Sequence, residues 1–152
     1  MTKRSTTHAT FVIEREYPHP PAKVFAAYAN PKSKAQWFVG PDAWEKSNFT
    51  SDFRVGGKES VSGGPPGGPV HYYNGEIWDI VENARIVISY EMHLDKTRIS
   101  VSLGTTEIEP NGSGTKLIYT EQGAFLDGYD DAGERERGTQ ELLGQLEAFL
   151  RA

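Results

Sequence analysis

The stretch from about residue 43 to 122 constrains the fold most. It divides into six strand-like segments with few residues between them: "AWEKSNFTSDF", "GKESVSG", "VHYYNGEIWDIVE", "ARIVISYEMHL", "RISVSLGTTEIEP" and "TKLIYTEQG". The breaks carry the turn formers Gly, Pro, Asn and Asp, in "RVGG", "SGGPPGGP", "VENA", "LDKT" and "EPNGSG". Strands joined by turns this short are antiparallel neighbours, because a parallel return needs a long crossover. The middle of the chain therefore reads as one antiparallel sheet.

The oddest of these breaks is "SGGPPGGP" at 62–69. A phosphate loop places a glycine-rich turn between a strand and a helix N-terminus, usually with a lysine. Here strands lie on both sides, no helix follows, and two prolines remove amide donors that a phosphate would need. A linker would separate two self-sufficient cores, and neither side has a full set of elements. The segment is expected to be a long, mobile hairpin loop, and its place beside "VHYYNG" permits a gating role.

Two helical regions flank the sheet. Before it, "HATFVIEREYP" (8–18) reads as a strand with Phe11, Ile13, Arg15 and Tyr17 on one face. Pro20 and Pro21 suit the first turn of a helix that presents Val24, Phe25 and Tyr28. Asn30 and Pro31 begin a second short helix ending at Trp37 and Phe38. After the sheet, a long helix over roughly 131–151 repeats Leu142, Leu143, Leu146, Phe149 and Leu150 at helical spacing, with Asp130, Asp131 and Glu134 at its start. This predicts an α+β protein of one domain, residues 1–152, with about seven strands, two short helices after the first, and a C-terminal helix across the sheet.

Composition narrows the partners. The formal net charge is −5, whereas a nucleic-acid or anionic-membrane surface needs excess Lys and Arg. The absence of cysteine excludes disulfides, thiolate zinc sites and a Cys nucleophile. The N-terminal residues have no apolar run after their basic residues, and no window approaches a membrane span, so a cytoplasmic location is expected. No metal ligands are grouped at short spacing, and no cofactor is expected. Neither GxSxG nor a dinucleotide fingerprint occurs.

The order of "EREYPHPPAKVFAAYANPKSKAQWF", "DFRVGGKE", "YNGEIWDIVENARIVISYEM", "GTKLIYTEQGAF" and the terminal helix resembles the helix-grip fold of the START and birch-pollen-allergen superfamily, also called SRPBCC. Within it, the chain looks like the bacterial branch related to activators of the ninety-kilodalton heat-shock chaperone's ATPase, often labelled polyketide cyclase-like. The resemblance covers nearly the whole chain and rests on order, with no single catalytic motif. It implies a curved sheet wrapped around the last helix with a cavity between them. Many relatives carry a bulky aromatic near the start of that helix, where this chain has "RERGTQELL".

The expected ligand-binding set is Trp37, Phe38, Tyr73, Trp78, Tyr90, Met92, Tyr119, Phe125, Gly138, Leu142 and Leu146. The aromatics among them offer apolar faces with a few polar tips, or else plain core packing. Gly138, four residues before Leu142, either leaves room for a cavity or allows close helix–sheet packing. The catalytic candidates are Glu121, His93 and His71. Each histidine is either a pocket base or a solvated surface group. Glu121 shares a face with Leu117 and Tyr119, and is either a cavity carboxylate or one half of a rim salt bridge with Arg15 or Arg98. "ERER" (134–137) reads as a solvated first helical turn. The expected partner is a small hydrophobic molecule, with mild cyclase-like proton transfer as an open addition to binding; whether the chain is an enzyme stays open. A chaperone contact without catalysis and a homodimer are the alternatives.

Overall fold

The computed structural model describes residues 3–152; Met1 and Thr2, the first residues of the expected domain, lie outside them. Twelve-residue β1 (Thr6–Tyr17) leads into α1 (Pro21–Ala29) and α2 (Pro31–Trp37). Seven strands follow and complete the sheet: β2 (Glu45–Lys46), β3 (Thr50–Ser51), β4 (Lys58–Gly64), β5 (His71–Val81), β6 (Arg85–Leu94), β7 (Thr97–Asn111) and β8 (Gly114–Leu126). Helix α3 (Ala132–Arg151) closes the chain. The sheet is antiparallel throughout, in the order β1-β8-β7-β6-β5-β4-β2, with β3 also on β4. This is the helix-grip arrangement.

Each helix begins where local chemistry directs it. Pro21 opens α1, where no amide donor is needed. Asn30 Oδ1 accepts from the Lys32 and Ser33 amides at the start of α2. Asp131 Oδ1 accepts from the Glu134 amide at 2.9 Å to start α3. The core joins Phe11, Ile13 and Tyr17 of β1 to Val24 and Tyr28 of α1 and to Leu143, Leu146 and Leu150 of α3. Within it, Tyr17 donates to the Leu143 carbonyl at 3.0 Å and the Trp37 indole to the Ala27 carbonyl at 3.0 Å, so two large polar-tipped side chains are buried without an unmet donor.

Two local expectations are corrected. "AWEKSNFTSDF" is not one strand; it makes the two-residue β2 and β3, which raises the strand count to eight. Phe49, between them, packs edge-on against Phe38 with ring centres 5.8 Å apart, which interrupts the ladder. "SGGPPGGP" is not a long loop either. Strand β4 runs through Gly64, and the remaining turn closes with the Gly68 amide on the Pro65 carbonyl at 2.9 Å, using a positive φ of 73° at Gly67.

Candidate functional site

A cavity of about 910 Å³ lies between β4–β8, α2 and the segment after it, and the part of α3 from Glu134 to Gln145. Trp37, Phe38, Tyr73, Tyr90, Met92, Tyr119, Gly138 and Leu142 line it, as does His71. The pairing explains the shared face: Tyr73 lies opposite Met92 and Gly75 opposite Tyr90. The aromatic wall is continuous, with Phe38 edge-on to Tyr73 at 5.0 Å and Tyr73 against Tyr90 at 5.2 Å.

Three members of the expected set lie elsewhere. Trp78 sits on the outer face of the sheet, 57% exposed, and donates to Ser89. Its parity explains this, because Tyr73, Gly75 and Ile77 are the buried positions of β5 and the register shifts after Ile77. Phe125 is buried but does not reach the cavity, and its ring lies beneath the Arg135 guanidinium at 5.3 Å. Leu146 is fully buried in the core. His93 lies outside as well, in a shallow surface groove with Tyr72 and Asp95.

Gly138 is resolved in favour of open space. A Cβ built on it meets nothing within 4 Å, so close helix–sheet packing is not its reason. Gly104 is the opposite case. A Cβ there would come within 2.5 Å of the Tyr119 hydroxyl, so the missing side chain is what lets Tyr119 cross the strand toward Glu121.

Glu121 is the centre of a buried polar network, with its side chain 1% exposed. Tyr90 donates to both carboxylate oxygens at 2.7 Å, and Tyr119 to Oε1 at 2.7 Å. The cation is Arg135, whose Nη1 lies 3.0 Å from the Tyr90 hydroxyl and 3.3 Å from Glu121 Oε2. Its Nη2 donates to Ser100 and Asp130, both at 2.7 Å. The expected partners are elsewhere: Arg15 donates to Gln140 and Arg98 to Glu91. The reading of "ERER" as solvated is also corrected, since the Arg135 side chain is only 11% exposed. Helical spacing held the signal: Arg135 precedes Leu142 by two turns and shares its inward stripe.

Burial above all pushes the Tyr90 and Tyr119 hydroxyls well above the usual phenol range, reinforced at Tyr90 by the Glu121 charge and at Tyr119 by Tyr90 and then Glu121, so both remain donors. Burial alone would lower Arg135; the surrounding Tyr90, Glu121 and Asp130 more than offset it and keep the guanidinium charged.

A second buried carboxylate, Glu59 of β4, was not among the expected residues. Lys34 of α2 donates to its Oε1 at 2.8 Å, Tyr73 to the same oxygen at 3.2 Å, and Ser51 to Oε2 at 2.8 Å. The Lys34 ammonium also lies over the Phe38 ring at 4.7 Å. At the mouth, Trp44 stacks on His71 with ring centres 5.0 Å apart. Burial lowers His71 below its ordinary value against the opposing pull of Asp130 and Asp95, so the ring is neutral at pH 7. Among the described residues, no three His, Asp or Glu side chains converge as a metal site requires. No helix among them is long and apolar enough to cross a membrane.

A curved antiparallel sheet gripping a C-terminal helix over an aromatic cavity defines an SRPBCC-type protein. The chain belongs to the family described as Activator of Hsp90 ATPase homolog 1-like protein, whose profile matches residues 18–151. Among solved structures it is similar to a protein from Rhizobium leguminosarum at 47% identity, covering 99% of both chains with a TM-score of 0.93. A protein from Rhizobium loti is 46% identical over 95% of this chain and 99% of its own, with a TM-score of 0.89. CalU16 from Micromonospora echinospora shares the fold at 19% identity and a TM-score of 0.66, over 99% of this chain and 86% of its own. No curated protein matches the chain significantly.

Proposed function

We propose that the chain binds a small, predominantly hydrophobic molecule in the cavity between the sheet and α3. The observation that carries this reading is the cavity of about 910 Å³ with its aromatic wall. A space of that size suits a drug-sized molecule, and protein interiors are otherwise close-packed. The open space at Gly138 supports it further, because a glycine inside a helix costs ~1 kcal/mol relative to alanine. Any mild proton transfer falls to His71, which faces the cavity uncharged, rather than to Glu121, whose two oxygens are already engaged.

The test is native mass spectrometry of the protein purified from its own host, followed by a denatured extract. An apolar molecule at near-stoichiometric ratio is expected with the wild type and is lost from a folded Gly138→Trp variant. An empty wild type that stimulates a chaperone ATPase, equally with Gly138→Trp, would replace the binding reading with the second one. That second reading, an activator-like interaction module, is favoured only by the family's description.

A further inference from the structure

The polar atoms of the cavity wall carry information about the ligand that its size does not. We propose that the cavity selects an uncharged aromatic molecule bearing a hydroxyl, and excludes carboxylates; this rests on the binding reading above. Three cationic and four anionic side chains line the cavity, and Glu121 stands behind the wall. The local field is therefore negative, and a carboxylate entering it meets repulsion.

The buried cations have no free fork to offer. Arg135 spends Nη1 on Tyr90 and Glu121 and Nη2 on Ser100 and Asp130. Only its Nε–H lacks a partner among the described residues. A single N–H suits a hydroxyl or carbonyl oxygen, whereas a carboxylate is best held by two parallel donors. Lys34 is committed to Glu59 and walled by aromatic rings. A carboxylate inside would thus lose its water and find no buried cation in exchange, since the third lining cation, Lys46, is exposed to solvent, where a charge pair is screened and worth little.

The acceptor side is different. Tyr73 and Tyr119 each donate to a carboxylate, yet their oxygens accept no hydrogen bond among the described residues, and both line the cavity. Unused acceptors on Tyr73 and Tyr119 and one unused donor on Arg135, all residues of the same cavity lining, match a hydroxyl, which donates and accepts. An ammonium gains less, because Glu59 and Glu121 already receive hydrogen bonds on both of their oxygens.

Three probes of one shape test this by calorimetry at pH 7: 2-naphthol, 2-naphthoate and 2-naphthylmethylamine. The naphthol should bind, and the naphthoate should bind at least ~10-fold more weakly. Asp130→Asn, at a side chain 18% exposed and outside the core, releases one Arg135 donor and should narrow that gap several-fold. Naphthoate binding as tightly as naphthol, the amine binding tightest, or a gap unmoved by Asp130→Asn would overturn the selectivity. A carboxylate found in the native extract would overturn it too while leaving the cavity reading intact. Failure of all three probes up to their solubility would instead overturn the cavity reading itself.

Discussion

The two buried carboxylates are built alike and held differently. Each has one cation and two hydroxyl donors. At Glu59 the cation is close, with Lys34 at 2.8 Å, and the tyrosine is distant, with Tyr73 at 3.2 Å. At Glu121 the order reverses: Tyr90 and Tyr119 lie at 2.7 Å and Arg135 at 3.3 Å. The first is a closed ion pair that fastens α2 onto β4, and both side chains are at most 8% exposed. The second is an open network that continues through Arg135 to Asp130 at the cavity mouth. Both sites border the cavity, so the difference is in what holds the carboxylate: a short ion pair at Glu59, and tyrosine hydroxyls with a more distant cation at Glu121.

The largest effect expected follows from the cations. Lys34→Met leaves Glu59 buried without a counter-charge and should cost about 3–5 kcal/mol in urea unfolding. Adding Glu59→Met should recover most of that loss, since an apolar pair replaces an ionic one at little cost. Arg135→Met should cost less, about 2–3 kcal/mol, because close tyrosine donors still solvate Glu121 and Asp130 can turn to water. Equal losses for Lys34→Met and Arg135→Met would erase the distinction between the two sites.

Removing single hydroxyls should reverse the ranking. Tyr90→Phe should destabilise by about 2 kcal/mol and Tyr73→Phe by about 1 kcal/mol, in line with hydrogen bonds to charged acceptors of different length. Thermal or urea unfolding of both variants checks this. A larger loss at Tyr73 would mean that hydroxyl distance does not decide which group holds each carboxylate.

How much of this was legible depended on how local each signal was. The strands from β4 to β8 followed from turn residues within a few positions of each other, and the inward stripe of α3 from one helical period. Parity with Leu117 and Tyr119 of the same strand puts Glu121 on the inward face, but parity alone leaves a cavity carboxylate and a rim salt bridge both open. Its cation was missed because "ERER" looks polar when read residue by residue, although its spacing from Leu142 marked Arg135 as inward. The Lys34–Glu59 pair had no such mark. It joins residues 25 positions apart, on a helix and a strand whose contact arises only from tertiary packing. Trp78 shows the converse error, because its size suggested the cavity while its odd offset from Tyr73 put it on the outer face.

The smallest effect belongs to His71, and it sharpens the comparison because it senses only one of the two sites. Its folded-state pKa lies below 6.5, first through burial and further through Arg135, against Asp130 and Asp95. As pH falls below 6.5 the unfolded chain takes up a proton that native His71 resists. The unfolded state then binds more protons, so stability declines with falling pH until the native ring protonates as well. His71→Asn should flatten that slope in urea unfolding between pH 7 and the lower native value. Arg135→Met, by removing a neighbouring positive charge, should narrow the window, and Asp130→Asn should widen it. The Lys34→Met/Glu59→Met pair should leave the window where it is, since neither residue is among the charges that set His71. A window that moved with Lys34 and Glu59 but not with Arg135 would couple the histidine to the Glu59 ion pair instead, and would overturn the assignment of His71 to the Arg135 network.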